Sequence, residues 1–208
     1  MTEQERAERC RRELEELASR YQTLPPEQIF DRLNRLLPLA DKALLVEYAQ
    51  VIAGVIPELK PTVGFDQHSP HHAYDLYTHI AYVTQAVPGE PVLRWAALLH
   101  DIGKIPAFTQ DETGRGHFRR HPQLGAEMAR EVLRRMGSPE ALRQQVAALI
   151  LNHMIPLQAD PWQLRRLAET LGMDTLRNLV ILQQADMASK GVGSPDTARY
   201  REILGILG

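Results

Sequence analysis

Apolar positions recur at three- and four-residue steps along nearly the whole chain, and strand-like alternation is almost absent. Ala7, Cys10, Leu14, Leu17 and Tyr21 form one stripe and predict an amphipathic helix over 3–21, which Pro25-Pro26 ends. Helices are expected over about 27–37 and 41–56, then a linker or loop over 57–70, where prolines and Gly64 interrupt the period. A helix from about His71 to just before Pro88-Gly89 puts Leu76, His79, Ile80 and Val83 on one face. Pro91 suits a helix start, and that helix is expected to reach Asp101 and stop at Gly103 in a left-handed cap. The polar, glycine-bearing stretch 106–120 reads as a loop or a small hairpin around Gly116. His121-Pro122 opens a helix ending at Gly137, and Ser138-Pro139 opens another that aligns Val146, Leu149, Ile150 and His153. Asp160-Pro161 starts one that ends at Gly172. Asp174 is expected to cap the last long helix, with Leu179, Gln183 and Asp186 on one face and an end near Gly191. A tail helix from about Asp196 completes an all-α bundle.

Composition narrows the function classes. The chain has 208 residues, 44% of them apolar, enough for one sizeable core or two small ones. A net charge of -2 and a pI near 6.4 give no global attraction to nucleic acid or to an anionic membrane. The basic pairs Arg119-Arg120, Arg134-Arg135 and Arg165-Arg166 are ordinary for helix surfaces. Cys10 is the single cysteine, so an intramolecular disulfide and a cysteine zinc knuckle are both excluded. Apolar runs are too short to span a bilayer, and the charged stretch Glu3 to Arg12 is unlike a secretory signal. A cytoplasmic protein without a membrane partner is expected.

All eight histidines lie between His68 and His153. His79, His100-Asp101, His121, His153 and Asp186 each fall on the inner face or at the end of a predicted helix. A lone histidine on an apolar stripe is more often a hydrogen-bonded core residue, and a His-Asp pair alone is a weak motif. A carboxylate on a core face is costly unless it is paired or metal-bound, so several such residues on separate helices favour one shared site. Mixed imidazole and carboxylate ligands suit Fe, Mn, Ni, Co or Zn and do not choose among them.

His79, Leu98-Leu99-His100-Asp101-Ile102-Gly103-Lys104, His121, His153 and Ala185-Asp186 together resemble the HD superfamily of metal-dependent phosphohydrolases. Val55 to Leu59, Gly64 to His68, Tyr74 to His79 and Gly116-His117-Phe118 are similar to the C-terminal half of bacterial CCA-adding tRNA nucleotidyltransferases. The likeness spans about residues 27–190. It implies an HD-domain helical bundle over 63–192, an N-terminal helical neck-like extension over 1–62 and a tail helix over 193–208. The chain has no Asp-x-Asp and no glycine-rich nucleotide loop, so CCA addition by this chain alone is not expected. After Asn152-His153 it reads Met154-Ile155-Pro156, without the His-Glu and Gly-Tyr-Pro signature of the cyclic-di-GMP phosphodiesterases of the same superfamily.

The resemblance implies that His79, His100, Asp101 and Asp186 hold a first divalent ion. Asp101 would bridge to a second, completed by His121 and His153. It implies metal-assisted hydrolysis of a phosphomonoester or phosphodiester of a nucleotide or RNA end, 2′,3′-cyclic phosphates included, through a metal-activated water. Asp101 and Lys104 are the expected catalytic residues. Lys104, His72, Arg119 and Arg120 are expected to meet the substrate. A tRNA-binding clamp with a structural metal is the rival from another class, and a helical bundle whose metal only stabilises the fold is a third. A homodimer through the N-terminal amphipathic helix is also compatible with the sequence.

Overall fold

The computed structural model describes residues 2–193 and 197–208. Among them it is helical apart from one two-stranded hairpin. The N-terminal part comprises α1 (Glu3–Arg20), α2 (Pro26–Leu36), α3 (Lys42–Glu47) and α4 (Ala49–Val55), with 3-10 turns at Leu37–Leu39 and Pro57–Thr62. Then come α5 (Leu76–Ala86), α6 (Pro91–Leu99), the short α7 (Lys104–Ala107), β1 (Phe108–Gln110) and β2 (Gly116–Phe118). The chain continues through α8 (His121–Arg135), α9 (Glu140–Asn152), α10 (Pro161–Leu171), α11 (Met173–Ala188) and α12 (Ala198–Leu207).

α6 is the axis. Every residue from Leu93 to Leu99 is buried, which a helix tolerates only when neighbours cover it all round. α5, α9 and α11 provide that cover, and α8 packs along α9. One apolar cluster runs from Cys10 in α1 to Leu207 in α12. Thr2 and Glu5 close a capping box at the start of α1. The stripe of α1 packs inside its own chain, with Cys10, Leu14 and Leu17 fully buried against α2, α3 and α4. That face is therefore not available to a second subunit.

Arg94 sits in this core and hydrogen-bonds the carbonyls of Pro88 (2.9 Å) and Thr84, holding the α5–α6 corner. Burial brings its pKa down to about 10, so it stays charged at neutral pH. Arg94→Ala is expected to destabilise the protein by about 3 kcal/mol through the lost charge-assisted bonds and the carbonyls left unpaired. Chemical denaturation measures this, and a change below about 1 kcal/mol would show that water replaces the guanidinium.

Several boundaries differ from the sequence expectation. The helix over 41–56 is two helices, because Tyr48 (φ -97°, ψ 21°) leaves the helical region so that α3 can pack on α5 and α4 on the following 3-10 turn. Part of the expected linker, Pro57–Thr62, is a 3-10 helix. α5 starts at Leu76 rather than His71, since Asp75 caps it by accepting from the Thr78 amide (3.1 Å). The segment before it is tied elsewhere, by Leu76 N–H to the Phe65 carbonyl and Ala73 N–H to the Lys190 carbonyl. α11 begins at Met173 after Gly172 and ends at Ala188, so Asp174 lies in its first turn and is not its cap. The expected tail-helix start, Asp196, lies outside the described residues; α12 begins at Ala198. The hairpin around Gly116 is present, with Phe108 opposite Phe118 and Gln110 opposite Gly116.

Gly103 is the most instructive difference. Its φ of -69° and ψ of -13° are right-handed, so it is not a left-handed cap. A Cβ there would stand 2.2 Å from the His121 carbonyl oxygen and 2.5 Å from the Gly125 amide nitrogen. Glycine is needed because the start of α8 lies directly against the turn after Asp101.

Candidate metal centre

Six side chains from five segments converge beneath the hairpin. His79 comes from the first turn of α5, and His100 and Asp101 from the end of α6. His121 is the first residue of α8, His153 follows α9, and Asp186 lies near the end of α11. His79, His100, Asp101, His121 and His153 are all buried. They form two triads, His79/His100/Asp186 and Asp101/His121/His153, each with its ligand-type atoms within 4.8 Å of one another.

Asp101 stands between the two and divides its oxygens. Oδ2 lies 3.2 Å from His100 Nε2 and 3.6 Å from His79 Nε2. Oδ1 lies 3.5 Å from His121 Nε2 and 3.7 Å from His153 Nε2. Burial alone would push this carboxyl up, but His100 and Lys104 outweigh it and hold it well below the usual carboxylate range. Burial would raise Asp186 as well, but the close approach of His79 and the charge of Lys190 outweigh it and hold the carboxyl low.

The imidazole tautomers make the stronger case. Nδ1 of all four rings faces a main-chain carbonyl: Ser189 (3.3 Å) for His79, Ala97 (2.8 Å) for His100, Phe118 (2.8 Å) for His121 and Ile150 (2.6 Å) for His153. A carbonyl only accepts, so each Nδ1 carries a hydrogen and each ring presents its Nε2 to the interior of the cluster. Anchoring the outer nitrogen on a carbonyl is how proteins orient metal-binding histidines. His121 Nε2 and His153 Nε2 are only 3.1 Å apart. His79 Nε2 is 3.0 Å from Asp186 Oδ1, yet neither His79 Nε2 nor His100 Nε2 is aligned for a hydrogen bond. Close approach without alignment means that the groups point at shared space rather than at one another. A cation in that space satisfies every one of them, so the donor set fits divalent metal. Burial lowers His121 to about 4, so no proton competes for its lone pair at neutral pH.

Above the cluster lies a cavity of about 330 Å³, with Asp101, His121, His153 and Asp186 in its floor. Lys104 reaches it from α7 and is buried, with Nζ 2.8 Å from Asp101 Oδ2 and donating to Gln67 Oε1 at 2.8 Å. His72 lines the wall; burial and then the charge of Lys104 lower it to about 3, so it offers a hydrogen bond and no charge. Arg119 lines the mouth. Arg120 is exposed and does not line the cavity; its left-handed backbone (φ 63°) instead turns the chain so that α8 can open on His121. His71 is exposed, and His68 stacks on Phe108.

Sequence reasoning missed Gln67, Arg115 and Lys190. Gln67 is buried and holds Lys104, Arg115 lines the cavity from the hairpin turn, and Lys190 lies 3.9 Å from Asp186. Only Lys190 carried a local signal, its four-residue step from Asp186.

Comparison with known proteins places this geometry in a family. The HD domain family matches residues 72–189, which include all six converging side chains. The A-adding tRNA nucleotidyltransferase of Deinococcus radiodurans is 35% identical over 188 residues, covering 86% of this chain and 43% of the relative. The CC-adding tRNA nucleotidyltransferase of Thermus thermophilus is 33% identical over 192 residues, covering 86% of this chain and 44% of the relative. A multifunctional CCA protein of Halorhodospira halophila is 31% identical over 144 residues. The chain thus spans less than half the length of the first two relatives. Among the described residues no helix is long and apolar enough to cross a membrane. With its paired triads on α5, α6, α8, α9 and α11, this chain belongs to the HD domain family.

Proposed function

We propose that this chain is a metal-dependent phosphohydrolase acting on a phosphomonoester or phosphodiester of a nucleotide or an RNA end. The observation that carries the reading is the convergence of two His/Asp triads around Asp101 at the floor of a cation-rimmed cavity. His79, His100 and Asp186 would hold one divalent ion and His121 and His153 a second, with Asp101 shared. Such ions, when bound, supply Lewis-acid polarisation of a phosphoryl oxygen and a water acidified into the neutral range.

The chain's own residues do the rest. Lys104 is held in place by Asp101 and Gln67, with its ammonium at the cavity wall, where it offsets phosphate charge. His72, neutral at pH 7, donates or accepts a hydrogen bond there. Arg119 attracts the anionic substrate at the mouth, while Arg120 acts on the backbone turn rather than in the cavity. The buried setting of His100 and Asp101 strengthens each of these interactions relative to water.

A second reading, a tRNA-binding clamp with a structural metal, draws on the chain's similarity to tRNA nucleotidyltransferases. The net charge of -2 weakens it, because binding to nucleic acid rests on neutralised phosphates. The deciding experiment assays the metal-loaded protein on 2′,3′-cyclic AMP, a generic phosphodiester and a nucleotide panel, beside a tRNA gel shift at several salt concentrations. Metal-dependent turnover that a chelator removes is expected. Salt-sensitive tRNA binding with no turnover would give the site to the clamp. A melting temperature lowered by chelation, with neither activity, would leave the metal a structural role.

A further inference from the structure

The cluster is not at the end of a blind pocket. The 330 Å³ cavity and a second of about 180 Å³ share His153, Met154, Asp186 and Lys190, so the candidate ligands His153 and Asp186 lie where two lobes meet. A phosphomonoester needs room on only one side of its phosphorus.

The lobes differ in chemistry. The smaller is walled by Ile155, Met187 and Tyr200, with Met154 56% exposed at the junction. Met154, Ile155 and Met187 offer polarisable apolar surface beside Gln183 and Arg199, a mixture that suits the apolar face and polar edge of a nucleobase. The larger lobe is rimmed by the hairpin, which is braced by one carboxylate. Asp111 Oδ1 accepts from the Thr113 amide (2.9 Å), the Thr113 hydroxyl (2.6 Å) and the Arg115 amide (3.1 Å), and Oδ2 lies 2.6 Å from His117 Nε2. Arg115 and Arg119 both project from this hairpin region into the cavity lining and are exposed. Lys104 and Lys190 are engaged by Asp101 and Asp186, whereas no carboxylate among the described residues pairs with either guanidinium. Two unpaired guanidiniums on a braced support favour a dianionic oxygen cluster such as phosphate.

We infer that the site is shaped for a phosphodiester with groups on both sides, a nucleobase against Met154 and a second phosphate held by Arg115 and Arg119, which act as specificity determinants. The inference rests on the phosphohydrolase reading and narrows its substrate to a short, terminally phosphorylated oligonucleotide.

The test compares diadenylate without a terminal phosphate, diadenylate phosphorylated at the 5′ or the 3′ end, and adenosine 5′-monophosphate. The full chain is used, with Mn²⁺ for kinetics and with chelator for calorimetric binding. One of the phosphorylated dinucleotides is expected to exceed the unphosphorylated one by about tenfold or more in kcat/KM and in affinity. The Arg115→Gln/Arg119→Gln double variant should remove that gain, bringing the phosphorylated dinucleotides to the level of unphosphorylated diadenylate measured in the same variant. Both residues are exposed, so an unchanged melting temperature verifies folding. Met154→Glu should weaken every dinucleotide more than the monophosphate.

Equal handling of all substrates, unaffected by the double variant, overturns the inference and leaves the phosphohydrolase reading standing. Absence of turnover with metal bound overturns that reading instead. Calorimetry then decides for the clamp: a terminal-phosphate preference lost in the double variant sustains it, and no preference overturns it.

Discussion

Asp101→Asn is expected to empty both halves of the metal centre at once. The substitution preserves volume and one carbonyl oxygen, so packing around α6 and α7 is retained. It removes the single negative charge that faces both triads, with Oδ2 toward His79 and His100 and Oδ1 toward His121 and His153. Each half then keeps its imidazoles and loses the anion common to the two, while the ammonium of Lys104 stays 2.8 Å away and repels any incoming cation. Metal affinity is expected to fall by about a hundredfold or more, with hydrolysis lost in proportion. The metal-free variant should also be less stable by about 3 kcal/mol, since a buried lysine loses its charged partner. Elemental analysis and calorimetric titration with Mn²⁺ measure the first effect, and chemical denaturation under chelation the second. His121→Ala or His153→Ala, by contrast, should cost one ion and leave the His79/His100/Asp186 triad loaded. Full metal content in the Asp101→Asn protein would show that the two triads do not share this carboxylate.

Gly103→Ala should be the most destabilising single-methyl change in the region. The added carbon would stand 2.2 Å from the His121 carbonyl and 2.5 Å from the Gly125 amide, both main-chain atoms that cannot rotate away. α8 must move outward by roughly 1 Å to restore ordinary contact, and overpacking of this kind costs on the order of 3 kcal/mol. For a chain of this size that lowers the melting temperature by about 10 °C. The displacement also carries His121, the first residue of α8, away from Asp101 and His153. Metal should therefore be lost from the Asp101/His121/His153 triad before the other. Gly205→Ala is the control. Nothing lies within 4 Å of its added carbon, and in the last turn of α12 alanine is expected to be neutral or stabilising by up to about 1 kcal/mol. Equal melting temperatures for the two variants would contradict the close approach at Gly103.

Helices were the most legible part of the chain because their signal is local. A stripe such as Ala7, Cys10, Leu14 and Leu17 needs only its own spacing to declare an inner face, and Cys10, Leu14 and Leu17 are fully buried with Ala7 half-buried beside them. Boundaries were less legible where long-range contacts decide them. Nothing near Tyr48 announces that the helices on either side of it will dock on different neighbours. The start of α5 moved to Leu76 because main-chain bonds to Phe65 and Lys190 hold the preceding residues out of the helix. Gly103 misled for a related reason. A glycine after a helix usually supplies a left-handed turn, whereas here it supplies the absence of a side chain beneath another backbone.

The sequence by itself determined the all-helical class through its apolar spacing and singled out the six converging residues, since a carboxylate on a core face is costly unless it is paired or metal-bound. Only the tertiary structure decided how Asp101 divides its two oxygens between the triads, and that each Nε2 faces inward with Nδ1 anchored on a carbonyl. It also decided that Gln67 and Arg115 belong to the site while Arg120 does not line it. The physical reason is one of range. Helical periodicity is written over a few residues, while the direction of a lone pair or a guanidinium depends on how distant segments pack against each other.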